Sequence, residues 1–165
     1  MKKSLTLSLI AILSIFTLSS CGTTMYQLNN NCNLSSEELF PRISQILINE
    51  GFIIKTNDAK NGYLQAETIP KFNIWIGMSE VRYWIIQKNE QNGISATSNQ
   101  PAKPNLIAYA KVVYTQTNIF GASTGGAETY YNDKTSKDWQ WYWNVRNALE
   151  NLCGDKIKII EIKHN

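Results

Sequence analysis

Two stretches invite a functional reading: Gly121-Ala122-Ser123-Thr124-Gly125, and the aromatic crowd from Tyr130 to Trp143. The first fits Gly-x-Ser-x-Gly, in which a strained strand-to-helix turn lifts a serine hydroxyl out as a nucleophile. The chain order even supplies partners: Asp133, Asp138 or Asp155, then His164. The context argues against it. Gly126, Ala127 and a tyrosine-bearing loop follow before any helix can start, and His164 is penultimate, where chains fray and a general base is hard to hold within hydrogen-bond reach. Gly121 and Gly126 also form the Gly-x-x-x-x-Gly half of a phosphate loop, but Ala127 and Glu128 stand where Lys and Ser/Thr are required. A carboxylate there repels phosphate. The chain therefore reads as non-enzymatic, with no catalytic residue and no cofactor. No Cys-x-x-Cys occurs and His164 is the single histidine, so no metal site is expected.

The aromatic crowd suggests recognition instead. Trp139, Trp141, Tyr142 and Trp143 crowd into a span of five positions, preceded by Tyr130 and Tyr131. At 3.6 residues per helical turn they cannot all face one core. Either Trp141 and Tyr142 pack on a sheet while the rest cover loop edges, or the outer rings form an exposed patch for a protein, a glycan or the membrane interface. The candidate interaction surface is Trp75, Trp139, Trp143, Tyr130 and Tyr131. Trp75 belongs to Phe72–Met78, an apolar connection that is either a further strand or an exposed hydrophobic loop.

The N-terminus states where these residues would work. Lys2 and Lys3 precede Leu5–Leu18, an uncharged apolar stretch of signal-peptide length, shorter than the about 20 residues that cross about 30 Å of hydrocarbon. Leu18-Ser19-Ser20-Cys21 then resembles the lipobox of bacterial lipoproteins. The resemblance covers residues 1–21. It implies cleavage before Cys21, a diacylglycerol on its thiol and an acyl chain, such as palmitate, on its new amino group. Two or more chains make a stable anchor where one does not. Gly22 stands where an aspartate would favour inner-membrane retention, so the resemblance implies the outer membrane, facing the periplasm. Lipidation of Cys21 leaves Cys32 and Cys153 as an even pair in an oxidising compartment. They are either bridged, which the chain-entropy model values at about 5 kcal/mol, or two free thiols.

The elements that must position these residues follow from local patterns. Hydrophobic residues make up 43% and charged residues 18%, which is globular rather than disordered. Without residues 1–20, 14 basic residues face 13 acidic ones, a net charge of +1 that argues against a nucleic-acid footprint, which needs a clustered basic face. Gly22–Asn33 is polar, and residues 21–34 read as a lipidated tether to one domain over 35–165. Ser35 and Glu38 spell a capping box before the stripe Leu39, Phe40, Ile43, Ile46 and Leu47. Pro41 predicts a later start or a kink, and Gly51 a stop. Strands are expected over 52–55, 63–69, 81–88, 94–98, 106–116 and 157–162, with turns at Asn61-Gly62 and Asn92-Gly93. Residues 119–136 read as a loop and 137–153 as a helix with Trp141, Val145, Ala148, Leu149 and Leu152 inward.

This order predicts a two-layer α+β domain: a mostly antiparallel curved sheet of about five to six strands, with two helices packed on one face. Gly51-Phe52, a short strand and Gly62-Tyr63-Leu64-Gln65-Ala66 resemble small helix-grip modules found among accessory lipoproteins of the outer-membrane barrel-assembly machinery. That resemblance implies a fold and no catalytic residue. The expected function is a lipid-anchored accessory or scaffolding factor of the cell envelope, with a protein partner touching 72–78 or 130–143. The competing expectation is a small-molecule or glycan-binding module that stacks ligands on Trp75, Trp139 and Trp143.

Overall fold

The computed structural model describes residues 24–74, 77–89, 105–117 and 123–163. The signal segment, Cys21, Trp75, the 94–98 strand, the Asn92-Gly93 turn and His164 lie outside them. The chain runs β1 (Thr24–Asn30), α1 (Ser36–Asn49), β2 (Phe52–Asp58), β3 (Tyr63–Thr68), β4 (Lys71–Asn73), β5 (Met78–Lys88), β6 (Leu106–Thr117), β7 (Ser123–Tyr130), α2 (Gln140–Cys153) and β8 (Lys158–Lys163). All strands join one antiparallel sheet, ordered β2-β3-β5-β6-β1-β8, with β4 on the outer start of β5 and β7 on the outer end of β6. The fold is α+β. Its spine is the β5–β6 pair, in register from Met78–Gln116 to Lys88–Leu106.

Local signals explain several boundaries. The Ser35 side chain accepts from the Glu38 amide and the Glu38 carboxylate accepts from the Ser35 amide, the expected reciprocal cap. The helix starts at Ser36 despite Pro41, so the later start predicted from that proline does not occur. Gly62 closes the Ala59–Gly62 turn at φ +64°, and a Cβ there would collide with the Lys88 carbonyl, so the position requires glycine. Gly154 ends α2 in the left-handed region.

The core sits on one sheet face. Phe52, Leu64, Ala66, Trp84, Ile86, Ala108, Ala110, Val112 and Leu28 are buried, and the register places them on the same side. Leu39, Phe40, Ile43 and Leu47 from α1 and Trp141, Tyr142, Val145 and Leu149 from α2 complete one cluster.

Three expectations are corrected. The tether assigned to residues 21–34 is a strand over 24–30. Its polar sequence hides this because the membership is tertiary: β1 pairs with β8 from Thr24–Lys163 to Asn29–Lys158 and with β6 from Leu28–Ala108. The loop assigned to 119–136 contains β7, an exposed glycine-bearing strand that pairs with β6. These two, with β4, bring the sheet to eight strands among the described residues instead of five to six.

Candidate functional site

The aromatic crowd is chiefly a core device. Trp84 stands on β5 between Ala66 and Ala110, whose small side chains leave it room. It stacks on Tyr142 at 5.7 Å between centroids and meets Trp141 edge-on at 6.2 Å. Tyr131 is buried against Trp139 and Trp141. An Asx turn holds the approach to α2: the Asn132 side-chain oxygen accepts from the amides of Lys134 and Thr135, both at 2.8 Å. The Tyr142 hydroxyl donates to Asp133 at 2.8 Å, and Arg146 joins Asp133 to Glu150.

The outer tryptophans are half-buried and carry cations. The Arg82 guanidinium lies 4.4 Å from the Trp139 ring centre, and Arg146 lies 5.4 Å from that of Trp143. The Trp143 indole also donates to the Ser136 carbonyl at 2.9 Å. The predicted surface is therefore not gathered in one place. Trp139 and Trp143 flank the core, Tyr131 is inside it, and Tyr130 points to the opposite sheet face because neighbours on a strand alternate. Trp75 is outside the described residues.

The serine motif does not form a nucleophile elbow. Ser123 opens strand β7 instead of a strand-to-helix turn, and Gly125 continues that strand. Asp133 is engaged by Tyr142 and Arg146. Gly121 and His164 lie outside the described residues. Among the described residues no three His, Cys, Asp or Glu side chains converge as metal ligands.

A different surface stands out on the sheet face away from the core. Register places Tyr83, Ile85, Tyr109, Lys111, Val113, Glu128 and Tyr130 together there, all of them half-buried except the exposed Glu128. Lys111 bonds Glu128 at 2.9 Å and lies 5.5 Å and 5.7 Å from the ring centres of Tyr83 and Tyr130. Tyr109 meets Tyr130 edge-on and donates to Gln27, which in turn donates to Asn29. Near that edge a cleft of 410 Å³ is lined by Asn29, Asn30, Asn31, Asp155, Lys156 and Lys158, with Ile160. The buried Asn30 side-chain oxygen has no hydrogen-bond partner. Sequence reasoning missed this face. Its signal was the apolar-aromatic alternation Tyr83, Ile85 and Ile107, Tyr109, Val113, which interleaves with the core residues Trp84, Ala108 and Val112.

Burial raises the pKa of Tyr83, Tyr109, Tyr130, Tyr131 and Tyr142 above the usual phenol value; acceptor carboxylates add to this at Tyr130 (Glu128) and Tyr142 (Asp133), and the Tyr114 hydrogen bond at Tyr131. A raised folded-state value leaves stability intact below the unfolded phenol's pKa of about 10 and removes it as pH climbs above that point. Tyrosinate absorbance should therefore lag behind free tyrosine in alkali and then rise together with loss of the circular-dichroism signal. Smooth ionisation of every tyrosine near pH 10, with the fold intact, would contradict the assignment.

Compared with protein-family models, with curated proteins and with solved structures, the chain matches none.

Proposed function

We propose that the protein is a lipid-anchored, non-enzymatic accessory or scaffolding factor of the bacterial envelope, held through Cys21 at the outer membrane and facing the periplasm. Both helices cover one sheet face, and the opposite face receives a protein partner. The observation that carries this reading is the composition of that second face. Tyr83, Ile85, Tyr109, Val113 and Tyr130 present half-buried apolar and aromatic area, with Lys111 and Glu128 already paired to each other. Tyrosine-rich surface with few free charges is what the centre of a protein interface needs. The likeness to helix-grip accessory lipoproteins agrees with this role.

The glycan or small-molecule reading moves from the tryptophans to the asparagine cleft. Trp139 and Trp143 lend part of their rings to arginines, whereas the unpartnered oxygen of Asn30 asks for a donor that a polar ligand could supply.

Site-specific photo-crosslinking in the native host tests the proposal. A photoreactive residue at Tyr83 should capture one envelope protein, and Ile85→Lys should abolish that capture. The same probe at Ile48, exposed on α1, should not capture it. Cys21→Ser should stop processing and move the chain out of the membrane fraction. Capture unaffected by Ile85→Lys would defeat the interface. Unchanged processing and fractionation of Cys21→Ser would defeat the anchor.

A further inference from the structure

The most exposed apolar side chains of the described chain cluster in one short segment. Ile69, Phe72 and Ile74 are 67%, 57% and 81% exposed, and all six residues from Ile69 to Ile74 face solvent. Soluble surfaces seldom concentrate large apolar groups this way without something to cover them.

The register says where this segment points. β1 runs against β6, so Thr24 lies toward the C-terminal end of β6, four residues beyond Leu28 and its partner Ala108. β4 lies at that same end, because Asn73 pairs with Met78 and Met78 with Gln116. Along the strands, Thr24 falls about four residues, or about 14 Å, short of the Asn73 level; across them, β7 takes the place beside β6 at this level, so Thr24 stands at least three strand spacings, about 14 Å or more, from β4. Cys21 precedes Thr24 by three residues, which reach at most about 11 Å. Three residues are thus long enough to let the Cys21 lipid approach within about 3 Å of the level of the apolar hairpin, on the C-terminal half of β6. Lys71 and Lys163 are exposed at this end as well, on β4 and opposite Thr24.

We propose that Ile69, Phe72 and Ile74 enter the headgroup boundary of the bilayer in which the Cys21 lipid is inserted. This rests on the lipoprotein reading of Cys21. Two contacts at one end, one covalent and one by burial of side chains, fix the tilt of the domain and hold the Asn61-Gly62 turn away from the membrane. The orientation stands the sheet on its end and leaves the tyrosine face accessible from the side. A lipid surface is the occupant because the chain's own anchor delivers it there.

The test uses the full chain, processed in a bacterial membrane, purified and reconstituted into phosphatidylethanolamine–phosphatidylglycerol vesicles. A polarity-sensitive fluorophore is placed at Ile74→Cys or, in a second sample, at Lys60→Cys in the distal turn. Emission from position 74 should shift to the blue and lose most of its intensity to spin-labelled lipid, while position 60 does neither. Adding Ile69→Ser and Phe72→Ser should return position 74 to water with the protein still vesicle-bound. An unquenched label at 74 in protein that floats with the vesicles overturns the hairpin contact and leaves the anchor standing. Protein that does not float, with Cys21 unmodified by mass spectrometry, overturns the anchor and the hairpin contact with it.

Discussion

Replacing Trp84 with alanine is expected to cost about 3–5 kcal/mol of folding stability. The ring is fully buried at the centre of the sheet and touches both Trp141 and Tyr142 of α2. Its flanking partners on β3 and β6 are Ala66 and Ala110, too small to collapse into the space it leaves. A cavity that cannot close puts the loss at the upper end of the large-to-small range. Against a typical total of about 5–15 kcal/mol this leaves a marginal domain. Trp84→Phe separates volume from hydrogen bonding. The Trp84 indole nitrogen is buried without a partner, so phenylalanine sacrifices no bond and removes an orphaned donor. Its cost should be nearer about 1 kcal/mol. Urea unfolding of the two variants measures both. A Trp84→Ala loss no larger than that of Trp84→Phe would mean that α2 is not seated on the sheet through this ring.

That seat also explains which parts of the molecule were legible beforehand. The Ser35–Glu38 cap, the α1 stripe and the Trp141, Val145, Leu149 stripe are local signals, and each appears where periodicity places it. The β5 and β6 strands carry enough β-branched and aromatic residues to be recognised alone. β1 and β7 do not. Thr24–Asn30 and Ser123–Tyr130 are polar or glycine-bearing, and they become strands because other strands offer them an edge, β8 and β6 for the first and β6 for the second. The same limit applies to the site. Sequence alone leaves Trp139 and Trp143 between loop-edge cover and an exposed patch, because nothing nearby in sequence predicts that Arg82, on a distant strand, lies over Trp139. The tyrosine face was readable only as alternation within single strands. Joining Tyr83, Tyr109 and Tyr130 needs the register of three strands, which no single-strand pattern contains.

Opening the Cys32–Cys153 link should cost about 2–5 kcal/mol, the other large effect expected of a single change. The two sulfurs stand at disulfide distance across 121 positions of sequence, with Cα atoms 4.4 Å apart. A bridge over so long a loop acts mainly on the unfolded chain, which is where the long-loop limit of the entropy model places its largest values. The folded state should change little. Cys32 is buried, and Asn105 clamps its backbone from both sides, accepting from its amide at 2.8 Å and donating to its carbonyl at 2.9 Å. Cys153 is the last residue of α2, which Asn144 ties to Glu50 beyond α1 and Glu150 ties to the Ile157 amide. The cysteines are thus held in place by contacts that reduction does not touch. The double variant Cys32→Ser, Cys153→Ser should keep its near-ultraviolet tryptophan signal and melt roughly 10 °C lower than the oxidised protein. Dithiothreitol should lower the oxidised protein's midpoint by a similar amount and leave the variant unmoved. Equal melting of oxidised and reduced protein would remove the bridge as a stabilising element, and with it the support that this cysteine pair lends to the proposed oxidising compartment.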